Sequence, residues 1–315
     1  MSKIDIVYTW VNGNDRLWND KKNSYLKNSN VYKNSLDEQA GSQRFTDNNE
    51  LKYSLRSIEL FAPWVNHIYI VTDNQIPEWL NEQENVTIID HKEIIPEEYL
   101  PTFNSSVIEA HLHNITTLQE MFIYFNDDMF LGKKTVKHDF FKHGKPNIFT
   151  SSIFPVKKKE PKFSTYNTQA IVDSRNIVKS KIRKEVNYGI KHGIKPLLKS
   201  RLKLIAQQYS MFLTPYYNEK FRLTPFSLLY IYTFNEIALR NANTKYLKTL
   251  RLRSRLYLKL FPTFCYIKDS NIKKFSDNYE KISPFVFCVN EISINLEKIH
   301  LFSHGKLSKK SKFEI

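Results

Sequence analysis

The 315-residue chain is 41% hydrophobic, 14% aromatic and 25% charged, which supplies a core and excludes a mostly disordered polymer. Seven glycines and 12 prolines exclude a collagen-like chain, and two cysteines, Cys265 and Cys288, exclude a disulfide scaffold or a four-cysteine zinc site. The net charge of +15 is divided unevenly: residues 1–150 carry 15 Lys and Arg against 21 Asp and Glu, while residues 151–315 carry 32 against 11. Such asymmetry points to an anionic partner for the second half. The start, MSKIDIVYTWVNGND, lacks the pattern of a secretory signal. No uncharged apolar run reaches the length of a membrane span. The expected location is cytoplasmic, with any membrane contact peripheral.

Residues 4–10 (IDIVYTW) read as a strand ended by the turn Asn12-Gly13-Asn14-Asp15. Residues 19–43 are polar and read as loop or weak helix. Asp47 or Asn48 caps a helix that has Glu50 near its first turn and runs to about Phe61. Leu51, Leu55, Ile58 and, on the flank, Phe61 follow helical spacing there. Residues 67–72 and 86–89 read as strands and 108–121 as a helix. Residues 122–125 (FIYF) form a short apolar strand that runs directly into Asn126-Asp127-Asp128. This order argues for a parallel-rich α/β sheet, in which ligands sit beyond the carboxyl ends of the strands. Both acidic turns fall at such ends.

The second half reads as mainly helical, over residues 167–182, 196–210, 225–240 and 246–260. Residues 285–289 (FVFCV) form a late strand that returns to the first-half core and ends at Asn290-Glu291. The expected organisation is an α/β core over 1–150, a basic helical part over 151–284 and a completing strand, helix and tail over 285–315.

Two adjacent carboxylates after a buried strand concentrate negative charge on firm backbone. Asp127 and Asp128 therefore suit base catalysis or a divalent cation with oxygen ligands, which takes one or two carboxylates together with substrate phosphates. Asn12, Gly13 and Asp15 are read against a nucleotide. Arg44, Asp47, Asn48, Glu50 and Arg56 crowd one helix start, and Arg56 has the bidentate geometry to clamp a phosphate. His192 lies between Lys191 and Lys195, cations that lower its proton affinity and favour a neutral base near pH 7. Arg222 precedes another helix start, where phosphate is favoured. The basic stretch 246–260 suits an anionic membrane or nucleic acid.

Residues 4–18, IDIVYTWVNGNDRLW, resemble the first conserved region of the Stealth family, whose pattern is close to D-x-V-Y-T-W-V-D-G-S-D-P-x-W. Residues 44–132 resemble its second region through RFTDNNELKYSLRSIELFAPWVNHIYIVTDNQIPEWL, LPTFNSSVIEAHL and FIYFNDDMFLG. His192 with Pro196, and Phe221-Arg222, fit the third region with altered spacing. Asn290-Glu291 fits the fourth, with Glu where the family has Asp, and Asn12 likewise replaces an Asp. The resemblance implies a Rossmann-like core, a divalent metal (Mg²⁺ or Mn²⁺) and transfer of a hexose-1-phosphate from a nucleotide sugar to a glycan hydroxyl. On that basis a UDP-sugar donor lies near Asn12, Gly13 and Asp15, and Asn126 joins the binding residues. Asn290, Glu291 and Asp128 are expected to hold the metal. Arg56 and Arg222 neutralise the transferring phosphoryl group, and Asp127, Asp128 or His192 takes the acceptor's proton. The implied acceptor is a glycan or lipid-linked oligosaccharide, and no nucleic acid is expected. The alternatives are a metal-dependent glycosyltransferase that releases UDP and a non-enzymatic basic module.

Overall fold

Alternation of side chains builds the central sheet. Ile4, Ile6 and Tyr8 of β1 (Ile4–Thr9) face one side and Asp5 and Val7 the other, all of them buried. A computed structural model places β1 between β2 (Ile68–Thr72) and β4 (Met121–Asn126), parallel to both, with β3 (Val86–Asp90) parallel beyond β2. The structure describes residues 2–27, 45–82, 84–155, 165–191, 193–250, 261–290, 292–293 and 295–315. β8 (Lys195–Leu198) closes the far edge antiparallel to β4, giving the order β3-β2-β1-β4-β8.

Both faces of this sheet are covered, as a parallel sheet requires. The helix Glu50–Phe61 packs Leu51, Leu55, Ile58 and Phe61 against the face carrying Ile4, Ile6 and Tyr8. On the other face Val7, Phe122 and Tyr124 join a cluster built with the helices Tyr166–Ile182, Lys199–Gln208 and Leu228–Ala238. The Asp5 carboxylate is buried on that face and is satisfied there. Asn66 Nδ2 and the Gln119 N–H each donate to it at 2.8 Å.

A second sheet has the order β10 (Lys248–Thr249), β11 (Thr263–Ile267), β12 (Val286–Val289) and β5 (Met129–Leu131), with β5 antiparallel and the rest parallel. A third joins β6 (Phe141–Lys142), β7 (Lys145–Thr150) and β9 (Asn243–Tyr246). The chain is therefore an α/β protein whose late strand does return to a first-half strand. The return is onto β5, where Phe287 stacks on Phe130 at 4.8 Å, and not onto the central sheet. Strands from the second half pair with β4, β5 and β7, so both halves contribute to all three sheets.

Four expected elements differ. The helix expected over 108–121 spans only Ser105–His111, followed by one 3₁₀ turn. The β-branched run Ile115-Thr116-Thr117 is a poor helix former. Residues 195–198 form an edge strand before the helix Lys199–Gln208; at an edge the missing N–H of Pro196 costs little. The helix near 225 starts at Leu228, where the Ser227 side chain accepts from the Tyr230 N–H. The basic stretch expected to be helical from 246 begins as strand, because Lys248 and Thr249 pair with β11; residues 251–260 lie outside the described residues. Among the described residues no helix is long and apolar enough to cross a membrane.

Candidate active site

A cleft of about 890 Å³ runs across the carboxyl ends of the strands. Thr9 to Val11 enter it after β1, His91 after β3, Asn126 to Asp128 after β4 and Asn290 after β12. The strand ends hold these groups on rigid backbone: Thr9 is in register with Asn126.

Asp128 is clamped from β12. Its Oδ2 accepts from Cys288 Sγ at 3.2 Å and from Asn290 Nδ2 at 2.9 Å, and its carbonyl accepts from the Val289 N–H at 2.9 Å. Asp127 Oδ1 accepts from the Asp128 N–H at 3.1 Å. Burial, and then the charge of Asp128, push the Asp127 carboxyl well above the usual carboxylate range, with Glu50 and Asp47 adding to the effect. Glu50 is raised to about 7, chiefly by burial, although it accepts from the Asn48 N–H at 2.6 Å and from Asn48 Nδ2 at 3.1 Å. Four carboxyl groups thus share one low-dielectric neighbourhood, where a divalent cation would relieve their repulsion.

Two cations line the same cleft. The Arg222 guanidinium lies 4.8 Å over the Tyr166 ring, and its buried Nε has no hydrogen-bond partner among the described residues. Lys195 Nζ lies over the rings of Tyr124 at 5.8 Å and Tyr230 at 5.4 Å. Burial lowers its proton affinity, against the nearby charge of Glu109. The Tyr124 hydroxyl donates to Glu109 at 3.1 Å and pairs with Thr9 Oγ1 at 2.9 Å.

Of the residues expected from sequence, the fold brings Asn48, Glu50, Asn126, Asp127, Asp128, Arg222 and Asn290 to the cleft. Arg44, His192 and Glu291 lie outside the described residues. Five others have different surroundings. Arg56 does not clamp a phosphate: its Nε and Nη2 donate to the two Glu314 oxygens at 2.8 and 2.7 Å, and Nη1 donates to the carbonyls of Leu307 and Ser308. Asp15 accepts from the Trp18 N–H at 3.0 Å and caps the helix Arg16–Lys27, which replaces the loop or weak helix expected there. Asn12 is bonded through its backbone to Gln75 and accepts from the Asn14 N–H. Gly13 donates to Phe45 O at 2.7 Å, and a Cβ there would lie 1.9 Å from that oxygen, so the turn needs a glycine for this approach. Asp47 accepts from Trp10 Nε1 and the Asn49 N–H. None of these five lines the cleft. The turn shapes the wall and lets Thr9, Trp10 and Val11 face inward.

The cleft also contains His91, Glu109, Tyr166 and Lys195, which sequence reasoning missed as site residues. Glu109 and Lys195 sit in readable motifs but carry no distinguishing spacing. Their proximity depends on β8 pairing with β4.

A parallel sheet with paired carboxylates and an arginine in one cleft at its strand ends has the architecture of an α/β group-transfer enzyme. The patterns described as Stealth protein CR1, conserved region 1, and Stealth protein CR2, conserved region 2, match residues 2–30 and 44–149. A capsular polysaccharide phosphotransferase of Haemophilus influenzae is 36% identical over 312 residues, covering 92% of this chain and 78% of that protein. Another from Neisseria meningitidis is 36% identical over 307 residues, covering 92% and 77%. The chain belongs to the Stealth family. Among solved structures, the galactosyltransferase LgtC bound to donor and acceptor sugar analogs superposes with a TM-score of 0.43 at 12% identity, covering 90% of this chain and 86% of that one.

Proposed function

We propose that the chain is a polysaccharide phosphotransferase of capsule or exopolysaccharide biosynthesis. It moves a hexose-1-phosphate from a UDP-sugar to a glycan hydroxyl and releases UMP. The observation that carries this reading is one cleft holding Asp127 and Asp128 at the end of a central strand together with Arg222, whose buried Nε has no partner among the described residues. The names of the Haemophilus and Neisseria relatives, which match over nearly the whole chain, support the same reaction class.

The acceptor hydroxyl attacks the β-phosphorus. A new O–P bond forms, the bond from that phosphorus to the oxygen bridging to the α-phosphate breaks, and UMP departs with the bridging oxygen. A phosphodiester remains between the two sugars. Asp127, whose proton affinity burial and the charge of Asp128 raise, takes the acceptor proton. Arg222 faces the equatorial phosphoryl oxygens, where fixed positive charge is the main source of catalysis. Lys195 adds a second cation in the same cleft.

The donor set fits a hard divalent cation. Asp128 and the amide oxygen of Asn290 supply oxygen ligands, and the crowded carboxyls hold more negative charge than the cleft can otherwise solvate. Mg²⁺ typically takes one or two carboxylates and completes its shell with water and substrate phosphates. When bound, Mg²⁺ or Mn²⁺ would neutralise the diphosphate. The basic second half attracts a polyanionic or lipid-diphosphate-linked acceptor at the inner face of the membrane.

The test is the nucleotide product. The chain is incubated with UDP-sugars, Mg²⁺ or Mn²⁺ and a glycan acceptor, with a chelator control, and UMP is separated from UDP. Metal-dependent UMP, with sugar phosphate appearing in the acceptor, is expected. UDP in its place would overturn attack at phosphorus and make the chain a glycosyltransferase.

A further inference from the structure

Resting on the donor reading above, we propose that His91 reads the nucleobase edge of the donor nucleotide. His91 directly follows β3, at the opposite side of the central sheet from β8. Three interstrand steps separate the ends of β3 and β4, about 14 Å at the usual strand spacing. An extended nucleoside diphosphate bridges such a gap. With its phosphates at Asp127 and Asp128, its base falls on the β3 side.

The chemistry of His91 fits that place. The residue is 6% exposed and lines the cleft, and its Nδ1 has no hydrogen-bond partner among the described residues. A buried polar atom left unpaired is destabilising, a penalty that a ligand removes by pairing with it. Burial, reinforced by the charge of Lys21 and opposed by Asp73 and Asp90, lowers the imidazole to about 4. It is therefore neutral at physiological pH, with one donor and one acceptor nitrogen. Its unpartnered Nδ1 can meet one group of the uracil edge, accepting from the ring N–H or donating to the carbonyl beside it.

Aromatic side chains line another stretch of the same cleft. Trp18, Phe45 and Phe103 are each at least nine-tenths buried and line the same cleft, with Trp18 5.2 Å from Phe45 and 5.5 Å from Phe103. The helix Arg16–Lys27 connects the two parts. Lys21 pairs with Asp73 just past β2, and Trp18, three residues earlier, shares that helical face. Lys22 Nζ lies over the Trp18 and Phe45 rings and Phe103 stacks on Phe221 at 5.2 Å, so these faces are taken within the chain and selection among bases falls to the polar group.

Binding of UDP, CDP, GDP and inorganic pyrophosphate to the full chain in Mg²⁺ is measured by calorimetry, for the parent protein and for His91→Leu and His91→Gln. The parent is expected to prefer UDP. His91→Leu should weaken UDP about tenfold, leave pyrophosphate unchanged and erase the preference over CDP. Unchanged UDP affinity and unchanged UDP-to-CDP discrimination in His91→Leu would overturn the assignment while leaving the donor reading intact. An equal loss for UDP and pyrophosphate would also overturn it, as a general distortion of the cleft. A parent chain that binds none of the nucleotides would overturn both readings. If His91→Leu does not fold, His91→Gln decides: a shifted UDP-to-CDP ratio with unchanged pyrophosphate supports the assignment, and an unshifted ratio overturns it.

Discussion

Two arginines that look alike in the sequence have opposite surroundings. Arg56 is saturated: Glu314 takes two of its N–H groups and the carbonyls of Leu307 and Ser308 take two more. Arg222 lies 4.8 Å over the Tyr166 ring at the cleft wall, and its buried Nε has no partner among the described residues. A guanidinium whose donors are consumed by its own chain contributes to stability. One held in place by a ring face, with donors left over, is prepared for an external anion. Exposure separates the two poorly, since both are largely covered.

Four substitutions and one titration sharpen that contrast. The largest effect is expected beside Arg222, at the acidic pair: Asp127→Asn should lower turnover by about 10²–10⁴-fold, as for loss of a general base, with the unfolding midpoint preserved. UMP release in single-turnover and steady-state assays checks it. Arg222→Ala should lower kcat/KM by roughly 10²–10³-fold, again with little change in urea denaturation. If Arg222→Ala instead unfolds the chain, the contrast with Arg56 fails. Arg56→Ala should show the reverse, a loss of about 3–5 kcal/mol in equilibrium unfolding because Glu314 is left buried and unpaired, with turnover per folded molecule close to normal. Tyr166→Leu removes the ring face under Arg222 and should raise the donor KM by roughly three- to thirtyfold, from a cation–π contribution of about 0.5–2 kcal/mol, while the control Tyr166→Phe, which loses only the hydroxyl that donates to Thr224 O at 3.0 Å, should keep the parent KM.

The smallest effect is a titration. Burial pushes Glu314 up, but the hydrogen bonds and charge of Arg56, with the Ser311 N–H, outweigh it and hold the carboxyl below its ordinary value. A depressed carboxyl stabilises the fold above its unfolded pKa, and the contribution disappears as pH falls through the folded value. Urea midpoints should therefore decline on the acid side of the ordinary glutamate range. In Arg56→Ala, where burial is no longer outweighed, that decline should shrink or reverse. A parallel acid limb in the two proteins would remove Glu314 from the account.

Much of the first half was legible. Strands at β1 to β4 and the helix Glu50–Phe61 follow from local periodicity and turn residues, and Asp127 and Asp128 stood out because they end an apolar strand. Arg56 was misread because its partner lies 258 positions away, beyond the reach of any local pattern. His91 and Lys195 were passed over as site residues for a related reason. Each is a single polar residue in an ordinary context, and only the pairing of β3 with β2 and of β8 with β4 brings them to the cleft. Short strands such as β5 and β10, of three and two residues, are too brief to show periodicity. The helix expected through residue 121 failed because apolar content was read without weighing the β-branched run that ends it.

The clasp on Arg56 also bears on the order of synthesis. Glu314 is bridged to Leu80, the Asn81 N–H donates to Phe313 O, and the Ile315 N–H donates to Trp79 O. β5 likewise receives its partner β12 only after residue 289. A ribosome would therefore release most of the first-half strands long before the residues that cover them. The emerging chain would carry an open strand edge and an unneutralised arginine until residue 314 has been made, the interval in which a chaperone would be of most use.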